Sequence, residues 1–262
     1  MRLREGGVAV FAALSVAGAA MAHDSFIVPP GRLIAGQPIR LEVTSSSFFP
    51  APESPIRPAR VARIDARAGD TAMVPTLAAG EAAMAVALDW PAAVSTQTGV
   101  MVAVDLSPWD IDVGADEIPH YMDEIGAPPE VRAAAEAAVA RDGVMRETYT
   151  KHLKVFACAE ACDGLDPARP SGSALEFVVD GDAFVLLENG MPRAGQAVFV
   201  TSETRGRLAL TTGEDGKVRL PAGLAGPVFL SAVILRAPAR AGARFTSDWA
   251  ALTFDASVFA GG

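Results

Sequence analysis

Short apolar runs broken by glycine and proline dominate this chain and leave sustained helical periodicity to one stretch. Ile39-Arg40-Leu41-Glu42-Val43 alternates apolar and polar side chains, as a strand with one buried face does. Gly36 and Pro38 punctuate its start. Val61 to Ile64, Ala83 to Leu88 and Val100 to Leu106 have the same strand character. Proline cannot donate to a ladder, so the cluster of Pro50, Pro52, Pro55 and Pro58 reads as a loop. Strands return with Leu175 to Val179, Ala183 to Leu187, Ala197 to Val200, Val228 to Leu235 and Ala250 to Phe254. Glu214-Asp215-Gly216 reads as a hairpin turn between Leu208 to Thr212 and Lys217 to Leu220. Many short strands with regular turns predict sandwich-like β architecture.

Between Asp116 and Ala161 the period changes. Pro128-Pro129 precede Glu130, an alanine-rich stretch follows from Val131 to Arg141, and Gly143 ends it. Acid early, base late and glycine after are helix signals. A shorter helix is predicted over Ile118 to Ile125. A third is predicted over Val144 to Ala159, where Met145, Tyr149, His152 and Phe156 form one stripe.

The N-terminus has the form of a secretory signal peptide. Arg2 and Arg4 lead into an uncharged run from Val8 to Ala20, and Ala20-Met21-Ala22 is a small-x-small site before His23. Export implies an oxidising compartment, periplasmic or extracellular. There Cys158 and Cys162 read most plainly as a local disulfide; a thiolate metal site is the sharper alternative, but two cysteines alone complete no common one. The chain of 262 residues carries a net charge of −9, and no basic footprint for nucleic acid is visible. No internal apolar run reaches the roughly 20 residues of a membrane span. The phosphate-binding glycine loop, the Gly-x-Ser-x-Gly elbow and the His-Glu-x-x-His zinc motif are all absent from the sequence. Trp90, Trp109 and Trp249 read as core or edge aromatics rather than as a sugar-stacking surface.

Four stretches give the chain a resemblance to a known family. They are Ala22-His23-Asp24-Ser25-Phe26; His120-Tyr121-Met122-Asp123-Glu124-Ile125-Gly126; the segment from Arg146 to Lys154; and a C-terminal block with Gly190-Met191-Pro192-Arg193-Ala194-Gly195 and Asp248-Trp249-Ala250. In their order they resemble the DUF4198 family, exported proteins described as periplasmic components of nickel or cobalt uptake. The C-terminal block also resembles a transthyretin-like or carboxypeptidase-regulatory sandwich. Asp248 stands where the family often has histidine, and the two cysteines lie outside its pattern. The resemblance implies a nickel or cobalt ion as cargo and a membrane permease as partner.

The residues themselves point to one metal-binding position. Cleavage after Ala22 gives His23 a free α-amine, with an ordinary pKa near 8. Amine and imidazole of one residue can chelate a single Ni(II), Co(II), Cu(II) or Zn(II) ion. His120 and His152 are the only other histidines and are candidates for a third nitrogen, and Asp24 is a candidate to orient the His23 ring. Asp116, Glu117, Asp123 and Glu124 offer oxygen ligands, while Asp110, Asp112, Asp116 and Glu117 together read first as a solvated acidic loop.

The resulting expectation is a mainly β protein. Residues 1–22 form a signal peptide, 23–115 a sandwich-like domain, 116–172 a helical insert and linker, and 173–262 a transthyretin-like sandwich. Its leading function is non-catalytic binding of a divalent transition metal through His23, with Asp24, His120 and His152 as further site residues. The alternatives are an envelope adaptor that binds no metal, and a copper-dependent oxidative enzyme built on a histidine brace.

Overall fold

The computed structural model describes residues 23–259 apart from Ala35, Ala93, Thr96, Gln97, Glu160 and Ala161. The signal segment read over residues 1–22 lies outside the described residues. The first half of the chain forms β1 (Asp24–Val28), β2 (Ile39–Ser46), β3 (Ser54–Pro55), β4 (Val61–Ala68), β5 (Thr71–Ala72), β6 (Thr76–Ala78), β7 (Met84–Leu88), β8 (Val100–Leu106) and β9 (Trp109–Gly114). Two helices follow, α1 (Ile118–Glu124) and α2 (Pro129–Asp142), and then the long strand β10 (Val144–Ala157). The second half forms β11 (Leu175–Asp180), β12 (Ala183–Glu188), β13 (Met191–Pro192), β14 (Ala197–Ser202), β15 (Gly206–Thr211), β16 (Lys217–Val218), β17 (Pro227–Arg236), β18 (Phe245–Asp255) and α3 (Ala256–Phe259). The protein is mainly β, with sandwich-like layers and a small helical insert. Among the described residues no helix is long and apolar enough to cross a membrane.

One sheet runs through the molecule in the order β15-β14-β17-β18-β10-β8-β4-β5, with β9 on the other half of β10. Strands from both halves of the chain therefore share a single ladder. They meet where β10 pairs with β18 in parallel, from Glu147 opposite Phe245 to Val155 opposite Thr253. Alternate residues of a strand point to opposite faces, and this sheet buries both. On one face Val102, Val104, Leu153 and Val155 pack under the sheet β1-β2-β7-β6 against Phe26, Leu41, Val43 and Met84. Phe26, Phe49 and Phe229 close this layer, with ring centroids 5.1 to 5.6 Å apart. On the other face Phe156, Leu230, Leu252 and Phe254 pack under the small sheet of β11, β12, β13 and β16 against Phe177, Phe184 and Leu186.

The remaining part of the first face is covered by α1 and α2. Tyr121, Met122 and Ile125 of the first helical segment, with Val131 and Ala135 of α2, bury Met145, Val233, Leu235 and Trp249. Small side chains let α2 sit close on the sheet. Gly143, in the left-handed region at φ 76°, ends the helix as the sequence predicts. After α1 the chain turns at Gly126, φ 62°, where a Cβ would lie 2.6 Å from that of Ala197 on β14. Only glycine permits that approach.

The segment predicted as a helix over Val144 to Ala159 is instead β10. Its stripe of Met145, Tyr149, His152 and Phe156 matches a helical period, yet strand alternation places Met145, Leu153 and Val155 on one face and Phe156 on the other. Glu147, Lys151, His152 and Lys154, polar residues that break the apolar alternation of a buried strand, are all buried. Thr148, Tyr149, Thr150 and Val155 add β propensity. Asp110 and Asp112, read as part of a loop, lie exposed on β9, where Thr148 Oγ1 donates to Asp110 at 2.6 Å. Charges on such a peripheral strand discourage pairing with another chain. The proline cluster is loop except where Ser54 and Pro55 bridge to β2 and where Pro58 opens a single 3-10 turn, Pro58–Arg60. Cys158 and Cys162 are joined in a disulfide.

Lys154 makes the most demanding contact of the core. Its ammonium is buried, donates to the Phe177 carbonyl at 2.9 Å, and is ion-paired with Glu176. Glu176 also accepts from the Ser171 N–H, the Ser171 hydroxyl and the Gly172 N–H, each at 2.8 Å. Burial raises the Glu176 carboxyl, but Lys154 and Ser171 outweigh it and hold it below the usual range. Lys154→Met is expected to cost about 3–5 kcal/mol in urea unfolding, because it strands a buried carboxylate. Adding Glu176→Leu should recover little of this, since two backbone donors then lose their acceptor. Full recovery in the double variant would show that the Ser171–Gly172 cradle is dispensable.

Candidate functional site

Two polar clusters lie on opposite faces of the central sheet, both built around β10. The first forms where β1 crosses beside the helical insert. Lys151 stands on β10 between the two covering layers, buried. Its Nζ donates to the His23 carbonyl at 2.7 Å and to Ser25 Oγ at 3.0 Å. The ammonium also lies 5.0 Å from the Trp249 ring centre and 5.3 Å from that of Tyr149. Burial pulls its pKa down to about 8, against the attraction of Asp24 and Glu124.

Around this cation stand three carboxylates, each shifted upward. Burial raises Asp24, and Arg207, Lys151 and His23 only partly offset it. Burial and the charge of Asp24 raise Glu124, against Arg207, His120 and Lys151. Burial raises Glu147, although it accepts hydrogen bonds from Tyr121 Oη at 2.7 Å and from the Ser247 hydroxyl. His23 itself bonds through Nδ1 to Ser47 Oγ at 2.7 Å. His120 is exposed on α1, one turn before Glu124. Arg207 of β15 donates to the Glu124 carbonyl at 2.6 Å and so ties α1 to the far end of the sheet.

The second cluster contains His152. It is a row of alternating charges across adjacent strands in the order Arg63, Asp105, His152, Asp248, Arg236. Arg63 Nε donates to Asp105 at 2.6 Å, and His152 Nδ1 lies 2.9 Å from the same carboxylate. His152 Nε2 lies 3.1 Å from Asp248, which also accepts from Arg236 at 2.7 Å. Arg236 goes on to Glu188 at 2.5 Å. With a carboxylate on each ring nitrogen the imidazole is held as the doubly protonated cation. Burial alone would lower its pKa, but the hydrogen bonds to Asp105 and Asp248 prevail and raise it to about 9. Asp105 moves the other way, to about 2, because His152, Ser173 and Arg63 donate to it and outweigh burial.

Sequence-derived candidates are thus divided between the two faces. His23 and Asp24 share the first cluster with Glu124, and His120 is on the same helix as Glu124. His152 belongs to the second, with both ring nitrogens engaged. Among the described residues no three His, Cys, Asp or Glu side chains are grouped so that they could hold a metal ion. Lys151, Glu147 and Arg207 were not singled out from the sequence. The one available signal was the charge density from Arg146 to Lys154, inside a segment rich in β-branched and aromatic residues. Models of known protein families give no match to this chain, and no curated protein matches it.

The charge row predicts a specific pH dependence. A histidine whose folded pKa is raised from 6.5 to about 9 contributes stability that is complete below pH 6.5 and lost as pH rises through 9. Asp105 acts at the other end, its contribution being lost as pH falls from 3.8 toward 2. Lys151 has the opposite sense above pH 8, so the difference between wild type and His152→Gln is the readout. Wild type should be about 2 kcal/mol more stable than His152→Gln at pH 6, and the gap should close by pH 10. A constant gap across thermal melts at those pH values would mean that His152 is neutral in the folded protein.

Proposed function

We propose that this chain is an exported binding protein that takes a divalent transition metal at its mature N-terminus and serves the uptake of that metal without catalysis. One observation carries the reading: Asp24 opens β1, His23 stands just before it, both are half-buried, and the charge of Asp24 raises the carboxyl of Glu124. Both carboxyls are destabilised by burial, and Glu124 also by the charge of Asp24, so a divalent cation bound beside them would be stabilising. Lys151 and Arg207 supply only part of that neutralisation.

The required nitrogen donor is chemical rather than conformational. While Ala22 is attached, the His23 nitrogen is an amide, a far poorer ligand at neutral pH than a free amine. Cleavage turns it into an amine beside its own imidazole, so processing assembles the chelate. This is consistent with the lack of a preformed side-chain cluster. His120, one turn from Glu124, is the candidate for a further nitrogen, and Asp24 for an oxygen. His152 stays in its ion-pair row. The family resemblance makes nickel or cobalt the cargo and a membrane permease the recipient.

Calorimetric titration of Ni(II), Co(II) and Cu(II) into protein beginning at His23 tests this. One ion per chain is expected, and acetylation of the N-terminal amine, which removes that donor while keeping the ring, should weaken binding by about a hundredfold. Affinity should also rise with pH up to about 8, as the amine loses its proton. Equal binding by both forms, or none by either, would sink the proposal.

A further inference from the structure

A cleft of about 510 Å³ opens beside Lys151, between the edge of β1 and β2 and the strand pair β9 and β10. That volume suits a small organic molecule. Its lining sorts charge sharply. Arg57, Arg60 and Lys151 face it, and no carboxylate is among the described residues that line it, in a chain whose net charge is −9. The acidic groups near Lys151 belong to the other side, toward α1. Cations gathered in a cleft of low polarisability focus an attractive field for anions.

The donors of the cleft are incompletely used. The Lys151 ammonium has three N–H groups, and the His23 carbonyl and Ser25 hydroxyl take two. Arg60 Nη2 donates to the Ser107 carbonyl at 2.8 Å, but its buried Nε has no hydrogen-bond partner. Buried donors are rarely left so. Arg57 is exposed, and its side chain pairs with no carboxylate among the described residues. Ser25 and Ser45, whose hydroxyls are 2.6 Å apart, add polar atoms on the same wall.

The facing wall is flat and apolar. The Arg60 guanidinium lies 4.5 Å from the centre of the Trp109 ring. Trp109 is still 51% exposed, the most exposed tryptophan of the fold's described surface. Tyr149 completes this side. Aromatic faces stack planar groups, and guanidinium and ammonium groups bind carboxylates through charge-assisted hydrogen bonds.

We propose that this cleft binds a small organic anion, namely a carboxylate carried on a flat apolar body. The carboxylate sits among Arg57, Arg60 and Lys151, and the flat body lies along Trp109 and Tyr149. This site is independent of the metal reading and shares with it only Lys151.

The test is calorimetric titration of purified protein, in EDTA and at low salt, with benzoate, benzamide and acetate. Benzoate should bind one per chain, and at least tenfold tighter than either of the others. Lys151→Met removes a buried group and risks the fold, so the deciding variants are at the surface. Arg57→Gln and Trp109→Ala should each weaken benzoate at least fivefold with unchanged melting temperature, while N-terminal acetylation should leave benzoate affinity as it was. Absent benzoate binding, equal binding of benzamide, or unchanged affinity in both variants would overturn the proposal.

Discussion

The parallel ladder between β10 and β18 is the constraint on which the other layers rest. Parallel strands need a long crossover, and here the crossover is almost the entire C-terminal half, from the disulfide loop to β17. Without this ladder β8 and β4 would end one sheet and β17 and β14 another. With it, a single sheet presents both faces, and each covering layer finds its apolar stripe in place. The small sheet takes one face, while the first sheet and the two helices divide the other.

A strand buried on both faces usually reads as a continuous apolar run. β10 does not, because its middle carries Lys151, which points to one face, and His152 and Lys154, which point to the other. Each is matched. Lys151 meets a carbonyl, a hydroxyl and aromatic rings; His152 meets two carboxylates; Lys154 meets Glu176. Desolvation makes such groups costly when unmatched. They therefore fix the register of the strand: a slip of one residue would turn each of these charges to the opposite layer.

The same residues explain what could and could not be read from sequence. Val100 to Leu106 was legible as β8 because it is almost wholly apolar, and α2 because Pro129, Glu130, Arg141 and Gly143 are local signals. β10 was not, since the partners that make its charges tolerable lie far along the chain, at Asp105, Glu176 and Asp248. β9 was hidden by Asp110 and Asp112, whose exposure on the periphery of the sheet is set by packing alone. At the candidate site, His23 and Asp24 were marked by their place after Ala22, and Glu124 by its motif. Lys151 and Glu147 become notable only through burial, which no local pattern announces. The cationic cleft draws on five separate segments, around Ser25, Ser45, Arg57, Trp109 and Lys151, so it has no linear signature.

The position of β18 near the end of the chain also dictates the order of events in folding. It is inserted between β10 and β17, so both of these strands keep an unsatisfied edge until Phe245 to Asp255 has arrived. Contacts of such long sequence separation form late and slowly. A chain emerging from the ribosome cannot complete its central sheet until Phe245 to Asp255 has been made. Until that strand arrives, two strand edges stand open to pairing with other chains, so the interval before β18 docks is the one in which this fold is most exposed to aggregation.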